Sequence, residues 1–159
     1  MSIKIGQTLP SATLHEANPG DHVDPSTAFA SGRTLLFAVP GAYTPGCSNT
    51  HLPGYLRDHD ALKAKGIDQI VCVSVNDAFV MSAWGKANET AGKIRMLADP
   101  AAEFTKKLGL DVDASGPLGG TRSKRYAMVL DEGEITHLEV EPDGFGLSCS
   151  LAGALLERL

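Results

Sequence analysis

The sequence predicts an α/β fold, a mixed central sheet with helices on both faces, and three observations carry that prediction. Short β-branched apolar runs recur along the chain, segments of helical spacing separate the first of them, and the last two are joined by a turn short enough for a hairpin.

Taken in order, the first 30 residues hold Pro10, Pro19 and Pro25 with little periodicity, and read as an irregular N-terminal extension with one short strand pair. Leu35 to Val39 is the first buried strand, followed by a helix start near Thr44 and Pro45. Ile70 to Val75 is the second strand. After it Asn76-Asp77 can cap a helix whose Val80, Trp84 and Ala87 share one face, which should pack on the sheet. Ile94 to Leu97 is the third strand, and Asp99-Pro100 opens a short helix that Gly109 closes. From Leu110 to Arg122 the chain is rich in Asp, Gly and Ser, which reads as a long, mobile loop. Tyr126 to Leu130 and Ile135 to Val140 form an antiparallel hairpin, and Leu151, Leu155 and Leu156 mark a helix in the tail from Ser150 to Leu159. This order is compatible with a thioredoxin-like fold, with no repeat, linker or second domain along residues 1–159.

Composition narrows the function. A chain of 159 residues, 43% of them hydrophobic, can bury a core without metals or crosslinks. Its net charge of -5 provides no basic footprint for nucleic acid or an anionic membrane surface, and no stretch approaches the roughly 20 apolar residues of a membrane span. The start, from Met1 to Gly6, has neither a secretion signal nor an Arg-rich transit character, so the expected location is the cytoplasm, or an organelle if a presequence has been removed. The C-terminal Glu157-Arg158-Leu159 is a poor match to the peroxisomal Ser-Lys-Leu address. Three cysteines, Cys47, Cys72 and Cys149, are too sparse for a disulfide framework, which points to chemistry. The histidines are scattered with no paired thiolate spacing, so no metal site or cofactor is expected.

The chemistry concentrates after the first strand. Thr44 can cap the helix and Pro45 suits its first position, which places Cys47 in the first turn, where unpaired amides and the helix dipole favour the nucleophilic thiolate. A cysteine near a helix start is ordinarily a small buried apolar residue. Here two prolines and two glycines occupy the seven preceding residues and constrain the backbone around the thiol, which packing alone does not require. His51, four residues on and on the same helical face, invites a Cys/His pair. Packing or a structural hydrogen bond is the reading preferred for it. Cys72 alternates within a central strand and reads as a core thiol, and Trp84 and Phe79 as core or interface residues.

The segment Pro40 to Tyr55, PGAYTPGCSNTHLPGY, resembles the active-site signature of the peroxiredoxin 5 or type II peroxiredoxins. The likeness continues in order through Ser74 to Val80, Leu97 to Pro100, Val140 to Gly144 and Gly146 to Ala152. It implies a thiol peroxidase in which Cys47 is the peroxidatic nucleophile, Thr44 hydrogen-bonds the peroxide, Pro40 shields the thiolate and Arg125 stabilises thiolate and leaving oxygen. The backbone amides of Gly46 and Cys47 would join them, since charge developing on the leaving oxygen calls for preorganised donors. Arg122 and Lys124 compete for the arginine's role. Cys149 matches the resolving cysteine of animal members, whereas other members resolve with glutathione or glutaredoxin.

The resemblance further implies hydrogen peroxide and alkyl hydroperoxides as substrates, thioredoxin or the glutaredoxin/glutathione system as reductant, and a homodimer. Three other functions compete with this one. A thioredoxin-type oxidoreductase needs CxxC, but Thr44 stands where the first cysteine would be. A cysteine hydrolase lacks an oriented third group. A redox sensor would oxidise Cys47 once, where a peroxidase must turn over.

Overall fold

The structure, a computed structural model, describes residues 2–159. In chain order β1 (Leu14–Glu16) and β2 (Asn18–Val23) precede α1 (Pro25–Ala28) and β3 (Arg33–Val39). A π-helical turn at Cys47–His51 leads into α2 (Leu52–Arg57) and α3 (His59–Ala64), then β4 (Gln69–Ser74), α4 (Ala78–Ala87) and β5 (Arg95–Ala98). There follow α5 (Glu103–Leu108), β6 (Asp111–Ala114), α6 (Ser115–Leu118), β7 (Gly120–Ser123), β8 (Tyr126–Asp131), β9 (Glu134–Val140) and α7 (Ala152–Arg158).

Seven strands form one mixed sheet in the order β2-β1-β5-β4-β3-β8-β9. Its centre, β5-β4-β3, is parallel, and β8 joins β3 antiparallel. Because both faces of these strands are covered, their side chains are buried without polar alternation. Leu35, Phe37, Val39 and Cys72 face a layer with Tyr55, Leu62, Trp84 and Leu155. Leu36, Ala38, Val71 and Val73 face the opposite layer, with Phe29, Phe104 and Leu108. Each such leucine or phenylalanine contributes roughly 1.5–3 kcal/mol by leaving water. The β8–β9 hairpin closes on Glu132 and Gly133, both at positive φ (51° and 83°), the backbone that a tight two-residue turn requires.

Several expectations need correction. Residues 110–122 are not a structureless loop: β6 and β7 pair antiparallel, with Asp111 against Ser123 and Asp113 against Thr121, around the short α6. Strands of four residues with exposed acidic positions escape a search for apolar runs. On α4 the buried face is Ala78, Met81, Trp84 and Gly85; Val80 is half-buried and Ala87 exposed, so the packing stripe is rotated from the one inferred. Of the two places expected for Phe79, core or interface, its 65% exposure removes only the core. The N-terminal strand pair exists as expected, but β1 also pairs with β5 and so extends the main sheet. The Asp77 cap holds, its carboxylate accepting from the Val80 amide at 2.8 Å. The helix expected to open at Asp99-Pro100 begins only at Glu103, after a left-handed Ala102 with no side-chain cap; Asp99 accepts from the Phe104 and Thr105 amides, and a left-handed Gly109 closes the helix as expected.

Candidate active site

The site is built where β3 ends. The chain leaves Val39 through buried Pro40 and Gly41, and the Ala42 amide donates to the Asn76 side chain at 3.0 Å, which ties this loop to the end of β4. Tyr43 takes a left-handed φ of 63°, an unusual conformation for a bulky residue, and is 56% exposed. Contrary to expectation, the Thr44 hydroxyl does not cap the helix. It donates back to the Gly41 carbonyl at 2.7 Å, while the Thr44 carbonyl takes the first helical bond, from the Ser48 amide at 2.8 Å.

Cys47 to His51 wind as a π-helical turn, with the Leu52 amide donating to the Cys47 carbonyl. The reason lies two residues beyond His51. Pro53 has no N–H for the Asn49 carbonyl four residues back and would crowd it, so a wider turn passes the proline at less cost than a regular α-helix.

Cys47 is fully buried, and Arg125, 4% exposed, reaches it from the chain immediately before β8. One terminal nitrogen, Nη1, donates to the Cys47 sulfur at 3.4 Å and to His51 Nδ1 at 3.0 Å. Gly46 makes this approach possible: a Cβ there would stand 3.1 Å from the other terminal nitrogen of Arg125 and 3.3 Å from a Leu147 methyl. The Arg125 amide donates to the Gly144 carbonyl at 2.7 Å, and its carbonyl accepts from the Glu141 amide at 3.0 Å, so both sides of its backbone are held. The competing Arg122 is engaged elsewhere, with the carbonyls of Val75 and Leu118.

An arginine only donates, so His51 Nδ1 must be an acceptor and the ring proton sits on Nε2, which donates to the Ser150 carbonyl at 3.1 Å. Burial, reinforced by the Arg125 charge, holds the His51 pKa down at about 3, so the ring stays neutral. The Tyr55 hydroxyl donates to the same Ser150 carbonyl at 2.7 Å. Phe37 stacks on Tyr55, centroids 4.1 Å apart, and lies 4.9 Å from His51.

Cys149 lies on the segment between β9 and α7, half-buried, with a free thiol. Glu141 pins that segment by accepting from the amides and hydroxyls of both Ser148 and Ser150. Burial would raise the Glu141 carboxyl, but these bonds outweigh it and hold the pKa at about 2. Burial, with the Glu141 carboxylate, pushes the Cys149 thiol up. Cys72 is buried on β4 in the same apolar layer as Cys47, and burial, then the neighbouring Cys47, push it well up. Trp84 donates its indole N–H to the Ser48 hydroxyl at 3.0 Å, beside Cys47. Among the described residues no group of three or more His, Cys, Asp or Glu could hold a metal, and no helix is long and apolar enough to cross a membrane.

The Redoxin family profile matches residues 4–152, and reduced Prx3 from Vibrio vulnificus in complex with hydrogen peroxide superposes at a TM-score of 0.88, with 51% identity over 98% of this chain and 95% of that one. The chain belongs to the peroxiredoxins. Peroxiredoxin 5 from Alvinella pompejana is similar over 99% of both chains, at 42% identity and a TM-score of 0.85. The chloroplastic peroxiredoxin-2E of Arabidopsis thaliana is 46% identical over 149 residues, which are 90% of this chain; the chain spans 64% of that relative's length. This peroxiredoxin is thus an enzyme of the thiol peroxidase class with a thioredoxin-like fold.

One group at its site, Glu141, is not legible in the sequence. Glu141 carried no local signal, because its partners lie seven and nine residues on and meet it only through a turn. His51 did carry one, its spacing from Cys47. The geometry gives it a hydrogen bond to Arg125 rather than a place in a Cys/His pair.

Proposed function

We propose that this peroxiredoxin reduces hydrogen peroxide and alkyl hydroperoxides at Cys47, and the observation that carries the reading is the Arg125 guanidinium donating to the buried Cys47 sulfur at 3.4 Å. The thiolate attacks one peroxide oxygen; an S–O bond forms, the O–O bond breaks, and two electrons pass from sulfur to the departing oxygen. That oxygen leaves as hydroxide or alkoxide, and its charge develops beside Arg125 and the amides of Gly46 and Cys47. Thr44 has given its proton to Gly41, so its oxygen is an acceptor for the peroxide O–H. Buried Pro40 keeps water from the sulfur.

Cys47 emerges as a sulfenic acid, and Cys149 attacks its sulfur to give a disulfide and water. A two-electron thiol reductant, thioredoxin or glutaredoxin with glutathione, then restores both thiols. The Cys149 segment has to leave Glu141 for this step, because a disulfide brings the two Cα atoms within about 7 Å. Tyr43, Phe79 and Leu147, exposed by 56%, 65% and 39%, are apolar surface that a second copy of the chain would cover in a homodimer.

Intact mass after one equivalent of peroxide, with dimedone trapping and peptide mapping, tests the scheme in the native chain and in Cys149→Ser. A Cys47 to Cys149 crosslink, replaced in the variant by a trapped sulfenic acid on Cys47, is the expected result. A trappable Cys47 in both proteins would mean resolution by an external thiol. An unoxidised Cys47 would overturn the peroxidase role of this residue.

A further inference from the structure

We propose that His51 is a positioning residue, which aims Arg125 at the Cys47 sulfur and ties that aim to the seating of the Cys149 segment. The inference rests on the reading of Cys47 and Arg125 given above.

Arg125 has a long, flexible side chain, and its backbone bonds to Gly144 and Glu141 do not orient its far end. Two contacts do. The Phe145 carbonyl accepts from Nε at 3.4 Å, and His51 Nδ1 accepts from Nη1 at 3.0 Å. Nη1 carries two hydrogens about 120° apart, so when one is directed at Nδ1 the other is directed at the sulfur. The aim requires a ring with Nδ1 bare. A histidine with its proton on Nδ1, or with both nitrogens protonated, would present a donor to a donor and turn the guanidinium away.

The ring is kept in that form by the Ser150 carbonyl, which takes the Nε2 proton at 3.1 Å. Ser150 is the residue after Cys149, and its own amide and hydroxyl are held by Glu141. A single chain of hydrogen bonds therefore runs from Glu141 through Ser150 and His51 to Arg125 and the Cys47 sulfur, and every residue in it is at most 4% exposed. Withdrawal of the Cys149 segment takes the Ser150 carbonyl from Nε2 and from the Tyr55 hydroxyl together, which releases the lock on the ring. Arg125 is thus held on the sulfur while peroxide reacts and freed when Cys149 moves to resolve it.

Two substitutions separate the two ends of the ring. In His51→Asn the side-chain oxygen lies near the place of Nδ1 and can accept from Arg125, but nothing reaches Ser150. In His51→Gln the amide reaches toward Ser150, but Arg125 loses its acceptor. The rate of Cys47 oxidation by hydrogen peroxide is read by stopped-flow fluorescence of Trp84, and the seating of residues 145–151 by hydrogen exchange. His51→Gln should oxidise about 10- to 100-fold more slowly than His51→Asn, the scale of a misplaced catalytic group, while keeping the exchange protection that His51→Asn loses. A change in packing alone would not split the two variants in opposite directions. Equal oxidation rates in the two would overturn the proposal.

Should either variant fail to fold, ¹⁵N NMR of the native histidine ring decides the matter at neutral pH: a proton on Nε2 upholds the proposal and one on Nδ1 overturns it. A native chain whose Cys47 peroxide does not oxidise fails the peroxidase reading instead, with the tautomer still measurable.

Discussion

Glu141 and Ser150 are joined twice, by the Ser150 amide at 2.9 Å and its hydroxyl at 2.6 Å, and this pair fixes the start of the last helix against the end of β9. Ser148 adds two more donors to the same carboxylate. Hydrogen bonds to a buried charge are among the stronger single contributions to a fold. Replacing Glu141 by Gln should therefore cost on the order of 2–3 kcal/mol, measured by urea denaturation at neutral pH, because the amide cannot accept at both ends. A loss under about 0.5 kcal/mol, the scale of an ordinary surface substitution, would show that the pin is not a stabilising one.

The same carboxylate has a pH signature. Its pKa is held at about 2 against an ordinary value of 4.5, so its contribution is fully present above pH 4.5 and is lost as pH falls toward 2. Across that window the native chain should lose stability more steeply than Glu141→Gln, and the gap between their denaturation midpoints should narrow. Midpoints that stay parallel from pH 5 to pH 2.5 would mean that Glu141 titrates normally.

His51 acts over a higher window. Its ordinary pKa is 6.5 and its folded value about 3, so below pH 6.5 the unfolded chain takes up a proton that the native chain refuses. The groups facing the ring are Arg125, Glu141, Tyr55 and the Ser150 carbonyl, and burial is the largest influence, ahead of the arginine. Stability should fall by up to about 1.4 kcal/mol for each pH unit between pH 6 and pH 3 on account of this residue. In His51→Asn that component of the slope should vanish.

On the proposed reading of Cys47, charge develops on the sulfur and on the leaving oxygen beside Arg125, which donates to that sulfur. Arg125→Met keeps much of the volume and removes the donors. Its second-order rate constant with hydrogen peroxide should fall by about 10²- to 10³-fold, as for removal of one preorganised donor elsewhere. Arg122→Met, whose native partners are the carbonyls of Val75 and Leu118, should fall far less. Reversal of that order would move the role to Arg122.

Trp84 is the only tryptophan, and its indole N–H ends on Ser48, one residue from Cys47. Its fluorescence should change when Cys47 is oxidised, with a rate proportional to peroxide concentration. In Ser48→Ala the amplitude should shrink while the rate persists.

The strands at 35–39, 70–75, 94–97, 126–130 and 135–140, the cap at Asp77 and the placement of Cys47 near a helix start were all determined by the sequence alone, because each depends on residues close together in the chain. What sequence left undecided depends on approach over distance. Arg125 and Cys47 are 78 residues apart and meet only because β8 lies beside β3; His51 and Ser150 are 99 apart and meet only because the last helix packs against the face that carries Tyr55. The four-residue strands β6 and β7 resemble a loop in the sequence because pairing, rather than apolar pattern, makes them strands. The state of the His51 ring was likewise open in the sequence. A proton on one nitrogen or the other depends on what each nitrogen faces, and here an arginine on one side and a carbonyl on the other leave a single arrangement that satisfies both.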